Sequence, residues 1–102
     1  MTFSDTMDAL KDAVYKIAFE TTKFNIGLKV KDLRFHVVLA RDNTTFTITI
    51  NADNNWPTKS YSYCFPPDHF LHYNNLLQFA YTIRTTITEY IKEKTTCFSE
   101  RS

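Results

Sequence analysis

Three residues with reactive or metal-binding side chains lie close together in the second half of the chain: Cys64, His69 and His72. Cys97 could fold back to join them, which would give the two sulfur and two nitrogen ligands of a structural zinc site. Zinc ligands usually come in closely spaced pairs, however, and only the two histidines are close here. A half-buried thiol and solvated histidines explain the same residues, so we predict no metal and no other cofactor.

Catalysis has little support in the sequence. Cys64 and a histidine would supply a nucleophile and a base, but nothing indicates an orienting group or an oxyanion hole. The carboxylates fall mostly on predicted helix surfaces, caps and turns, and no pair suggests acid/base chemistry. The single glycine, Gly27, leaves no glycine-rich loop to cradle a phosphate. We therefore expect a protein that is not an enzyme.

Aromatic residues and prolines are concentrated between positions 56 and 73. Aromatic side chains on stiffened loops are typical anchors of protein interfaces. The residues predicted to contact a protein partner are Trp56, Tyr61, Tyr63, His69 and Phe70. The alternative is that Phe65, Phe70 and Tyr63 complete the core. The leading hypothesis is a small non-enzymatic interaction module. Because Lys, Asn, Ile, Phe and Tyr are abundant, as in AT-rich genomes, we expect a phage or mobile-element accessory protein that binds and modulates a host protein.

A locally basic segment spans residues 23–41 and supports a second hypothesis, an RNA-binding module. Its candidate phosphate-binding residues are Lys23, Lys29, Lys31, Arg34 and Arg41, with Asp32 as the acid among them. A solvated strand edge, where lysine discourages edge-to-edge pairing, explains the same charges. The formal net charge of +1 also argues against a strongly electrostatic partner.

The elements follow from hydrophobic periodicity. Apolar residues three and four apart predict a first helix from about Ser4 to Thr22 and a last helix, capped by Asp68, that ends near Lys94. Alternation predicts strands over 33–40, 45–50 and 61–65, with a turn at Asp42 and Asn43. Residues 24–30 also alternate, but a change of phase at Asp32 makes them an extended lead-in.

The predicted fold class is α+β: helix, three-stranded antiparallel sheet, helix, with both helices on one sheet face. Residues 1–95 form a single domain and residues 96–102 a flexible C-terminal tail. The other sheet face would be polar, with Arg34, His36, Thr45, Thr47, Thr49, Ser60 and Ser62. A homodimer could form through that face or through an edge strand. No apolar run approaches the roughly 18 residues of a membrane helix, so we expect no membrane contact and a cytoplasmic location, the host cytoplasm if the protein is viral.

The order helix, three strands, helix resembles that of the double-stranded RNA-binding domain and of the Alu-RNA-binding proteins of the signal recognition particle. Double-stranded RNA-binding domains carry a lysine cluster at the start of the last helix. Here that stretch reads Asp68, His69, Phe70, Leu71, His72. The resemblance is therefore one of element order, and it implies no functional residues for this chain.

Overall fold

Two helices and an antiparallel sheet make up the computed structural model, which describes residues 6–30, 33–52 and 57–101, with side chains at 7–29, 34–52 and 57–93. The elements are α1 (Thr6–Phe19), β1 (Lys23–Val30), β2 (Leu33–Asp42), β3 (Thr45–Ala52), β4 (Lys59–Cys64), a short 3-10 helix (His69–Leu71) and α2 (Tyr73–Arg101). The predicted α+β class is confirmed. None of the helices in these ranges is long and apolar enough to cross a membrane.

The sheet has four strands in the order β1-β2-β3-β4, so the prediction of three strands was wrong. The segment expected to be an extended lead-in pairs with β2 along its whole length, from Lys23 opposite Ala40 to Val30 opposite Leu33. Its alternating pattern was the signature of a strand, and the change of phase marks the boundary between two strands. With four strands, the element order also departs from that of the RNA-binding domains named above.

The turn predicted at Asp42 and Asn43 connects β2 to β3. Asp42 lies opposite Thr45, which leaves two residues to reverse the chain. Asn43 has a φ of 57°, in the left-handed region that asparagine tolerates better than most residues.

One face of the sheet is buried and the other is largely exposed. The buried side chains from the strands are Ile26, Leu28, Phe35, Val37, Leu39, Phe46, Ile48, Ile50 and Ala52. They join apolar residues of both helices in a single core. α1 contacts α2, β1 and β2, and α2 also contacts β3. The opposite face, called the open face below, carries the alternate residues of each strand, because successive side chains of a strand point to opposite sides.

The start and end of the last helix differ from those predicted. Within the described part of the chain, Asp68 makes no side-chain capping hydrogen bond; a 3-10 helix follows it, and α2 begins only at Tyr73. The Asn75 amide donates a hydrogen bond of 2.8 Å to the His69 carbonyl and so ties the two helices together. α2 ends at Arg101 and so includes most of the residues assigned to a flexible tail.

Candidate functional site

The aromatic residues after β3 pack mainly against one another. The Phe46 ring centroid lies 5.5 Å from that of Phe65, 5.1 Å from Phe70 and 5.8 Å from Phe79, and Phe65 lies 4.9 Å from Phe79. Most of these pairs meet edge to face, which is a favourable geometry for aromatic rings. The cluster joins β3, the segment after β4 and α2 in one corner of the core.

Packing in this cluster buries, wholly or partly, most of the residues that were predicted to form a protein interface. Phe70 is 6% exposed, so it is a core residue, as the alternative interpretation proposed. Tyr61 and Tyr63 are half-buried against the core, and His69 stacks on Phe65 with centroids 4.5 Å apart. Trp56 lies outside the described residues. Among its described members, the predicted interface set therefore exposes only parts of the rings of Tyr61, Tyr63 and His69 to a partner, and no fully exposed aromatic side chain.

A small pocket lies beside this cluster, where α1 ends and β2 turns into β3. Its volume is about 30 Å³. It is lined by Ala18, Phe19, Arg41, Asn43, Thr44, Phe46, Phe65, Pro66, Pro67 and Phe70. Phe46 and Phe70 are buried, whereas the exposed lining residues are Phe19, Asn43, Thr44, Pro66 and Pro67. The pocket is thus closed on the core side by rings and opens among both apolar and polar surface residues.

Arg41 is the charged residue of this pocket. Its Nη1 donates a hydrogen bond of 2.9 Å to the Ala18 carbonyl, which lies in the last turn of α1, where carbonyls have no helical partner. Its Nε is buried and has no hydrogen-bond partner among the residues that the structure describes. No carboxylate is present among the pocket residues given above. The pocket therefore combines an apolar wall with a cationic donor that is only partly satisfied.

The exposed apolar surface continues beyond the pocket. Tyr15 and Phe19 are each 48% exposed, and their ring centroids lie 5.1 Å apart on the outer side of α1. Leu71, directly after the pocket residue Phe70, is 71% exposed. We call the pocket together with Tyr15 and Leu71 the pocket surface.

Sequence reasoning missed Tyr15, Phe19 and Leu71 as surface residues. The sequence did contain a signal for Tyr15 and Phe19. They are four residues apart and so share one side of α1. That side is not the buried apolar stripe of Leu10, Val14 and Ile17. Leu71 gave no comparable signal, because three residues of 3-10 helix are too few to show a periodicity.

The predicted basic set is divided between the two faces of the sheet. Lys23, Lys29 and Arg34 are exposed on the open face, with Lys29 directly opposite Arg34. Arg41 lies on the opposite face, opposite Phe46, and Lys31 is outside the described residues. The alternation of side chains along β2 could have separated Arg41 from the other basic residues. Arg41 is two residues after the core residue Leu39 and therefore points to the same side of the sheet.

The open face carries the imidazole of His36 and no Phe, Tyr or Trp ring in the described parts of the strands. The larger rings of the strands are at core-facing positions: Phe24, Phe35, Phe46, Tyr61 and Tyr63. Sheet surfaces that bind single-stranded RNA stack two or three bases on exposed rings. The open face therefore offers charges for phosphates, polar groups and one imidazole, but no platform of several rings.

Among the described residues, the structure does not bring together Cys64, His69 and His72, the candidate zinc ligands that the sequence analysis considered and did not favour. Cys64 is exposed on the open face, with its sulfur 3.8 Å from the Thr45 hydroxyl, whereas His69 stacks on Phe65 near the core. The side chain of Cys97 lies outside the described residues. Across the described ranges, no group of three His, Cys, Asp or Glu side chains could hold a metal ion.

Polar contacts connect α2 to β4 and to the residues before it. Lys59 Nζ donates to Glu93 Oε2 at 2.7 Å, and this hydrogen bond raises the pKa of Lys59. The Tyr90 hydroxyl donates to the Pro57 carbonyl at 3.1 Å, and burial raises the pKa of that phenol. Because Tyr90 is only 1% exposed, we assign the contacts of Tyr90 and of the Lys59–Glu93 pair a structural role.

Comparisons of the chain with protein-family models, curated proteins and solved structures give no match. Function therefore has to be inferred from the two surfaces described above. The pocket surface is concave and combines aromatic and proline side chains with Asn43, Thr44 and one arginine. The open face is polar and carries its basic residues on β1 and β2.

Proposed function

We propose that this protein is a non-enzymatic interaction module that binds a protein partner through the pocket surface. The observation that carries the proposal is the exposure of Phe19 at the ring-lined pocket and of Tyr15 against Phe19, with the exposed Leu71 next in sequence to the pocket residue Phe70. Contiguous exposed apolar surface on a small domain is typical of interaction sites. Aromatic and arginine side chains are also the residues that contribute most to interface affinity.

The arrangement of the helices supports this proposal. We infer that both helices cover the same sheet face, since the strands bury one set of alternate residues and α1 contacts both α2 and the sheet. The pocket surface then lies at one end of the helix layer. A partner could occupy it without disturbing the core.

The test compares variants in a capture experiment with the tagged full chain and a lysate. Phe19→Ser and Leu71→Ser change exposed residues, so both variants should fold. We expect each to reduce recovery of a specific partner by at least about tenfold, the loss typical of an interface anchor. Tyr81→Ser is the matched control, because Tyr81 is an exposed ring, 56% accessible, elsewhere on α2.

Two outcomes would count against the pocket surface. Equal recovery by wild type, Phe19→Ser and Leu71→Ser would show that partners bind elsewhere. Loss of recovery in the Tyr81→Ser control would instead place the binding site on the concave α2 surface that Tyr81 shares with Arg84 and Glu89. Sedimentation of the purified protein determines whether the partner is a second copy of this chain, since a homodimer through this surface would dissociate in the same variants.

A second candidate function is binding of the nucleic-acid backbone, because Lys23, Lys29 and Arg34 share the open face. Because the described open face carries a single imidazole, His36, and no larger ring, such binding would rest mainly on phosphate contacts, and its affinity should fall steeply with salt. Reversing these three residues to glutamate should abolish binding to duplex RNA, whereas Arg84→Glu on α2 should change it little. Binding that persists at high salt, or that survives the triple reversal, would exclude this function.

A further inference from the structure

We propose that the pocket recognises a carboxylate of the partner, supplied by an acidic side chain and bound by Arg41. This inference rests on the proposed function and names the chemistry of the segment that docks. The neighbouring exposed residues Tyr15, Phe19 and Leu71 would contact apolar residues flanking that acid. The partner segment would thus be acidic at one position and apolar beside it.

The unsatisfied donor of Arg41 is the first argument. A guanidinium has five N–H donors in a fixed plane, and here Nη1 is held by the Ala18 carbonyl while Nε is buried without a partner in the described part of the chain. Buried donors in native proteins are nearly always paired, so one without a partner calls for an explanation. Because Nε itself is enclosed, we infer that a carboxylate in the pocket pairs with the guanidinium as a whole rather than with Nε.

Charge is the second argument. The pocket residues that surround the guanidinium are apolar or neutral, and Arg41 forms no ion pair with any described residue. An anion in the pocket would therefore meet a positive charge that no protein carboxylate neutralises. The buried rings of Phe46 and Phe70 on the core side lower the local dielectric constant and so strengthen this attraction.

Size is the third argument and narrows the class of anion. A cavity needs about 10–15 Å³ of space to hold one water, so about 30 Å³ admits only a group of a few atoms, such as a side-chain carboxylate. A carboxylate also matches arginine geometry, since it accepts charge-assisted hydrogen bonds in the plane of the guanidinium.

The test uses a small probe with a matched neutral control. The wild-type chain, labelled with nitrogen-15, is titrated with N-acetylaspartate amide and separately with N-acetylasparagine amide, which has nearly the same shape without the charge. The signal is the Nε–Hε resonance of Arg41, assigned by its disappearance in Arg41→Lys. We expect a saturable shift with the aspartate probe and an affinity at least about tenfold lower for the asparagine probe.

Specific outcomes would overturn the inference. No saturable shift, or equal shifts with both probes, would mean that the pocket holds only water or neutral groups. Saturation by inorganic phosphate but not by the aspartate probe would assign the pocket to a different anion. If the Nε–Hε resonance of the exposed Arg34 shifted as much as that of Arg41, the shift would reflect the change in ionic strength and not binding at the pocket.

Failure here is distinguishable from failure of the proposed function. If Phe19→Ser abolishes partner capture but the aspartate probe does not bind, the surface is an interface and the carboxylate inference is wrong. If the aspartate probe binds Arg41 but Phe19→Ser and Leu71→Ser leave capture unchanged, the pocket binds carboxylates and the proposed interface is wrong.

Discussion

Replacing Arg41 by methionine tests whether this arginine serves folding or binding. Methionine keeps an unbranched apolar side chain against the pocket walls. The substitution removes the hydrogen bond from Nη1 to the Ala18 carbonyl, and a bond from a charged donor contributes about 1.5–3 kcal/mol. It also removes a buried Nε that has no partner among the described residues, and an unsatisfied buried donor costs about 1–3 kcal/mol.

The two effects have opposite signs and similar sizes. We therefore expect the free energy of unfolding of Arg41→Met to lie within about 2 kcal/mol of wild type. Urea unfolding followed by circular dichroism measures it. With an m-value of about 1.5 kcal/mol/M, the midpoint should move by no more than about 1.3 M.

The matched control is Arg34→Met, which removes an exposed arginine from the open face and should change stability by no more than about 0.5 kcal/mol. A midpoint lowered by about 2 M in Arg41→Met, equivalent to about 3 kcal/mol, would refute the reasoning. It would mean that the guanidinium is fully hydrogen-bonded in the free protein and that its main task is to hold the end of α1.

Three further predictions concern stability. Phe46→Ala should cost about 3–5 kcal/mol, as large-to-small changes in a core do, whereas Tyr81→Ser, at an exposed position, should stay within about 0.5 kcal/mol in thermal unfolding. Asn43→Val should cost about 1–2 kcal/mol in the same assay, because a β-branched residue is strained at a φ of 57°; an unchanged Tm would contradict this. Burial raises the pKa of Tyr90 above its ordinary value of 10.0, so the stability that the neutral phenol confers is present below pH 10 and is lost as pH rises through the higher folded pKa. Tyr90→Phe should lose about 1 kcal/mol at pH 8 with the hydrogen bond to Pro57. Above pH 10, however, its free energy of unfolding should fall less steeply with pH than that of wild type, and equal slopes of the urea midpoint against pH would exclude this.

The sequence by itself determined the local elements. The alternation of Phe46, Ile48 and Ile50 with threonines predicted β3 and its buried face, and the structure buries those three residues. The apolar stripe of Leu10, Val14 and Ile17 predicted α1 in the same way. These predictions succeeded because side-chain direction in a helix or strand repeats with a fixed period that neighbouring residues reveal.

Only the tertiary structure decided which segments pair and which residues share a surface. The residues of β1 looked like a lead-in until their partners in β2 were known, and Phe70 could have been an interface anchor until it met Phe46 and Phe79. The pocket could not be predicted, because the end of α1, the turn after β2 and the segment after β4 are distant in sequence. Local periodicity fixes the direction of each side chain, but what that side chain meets depends on packing between elements that the chain brings together only on folding.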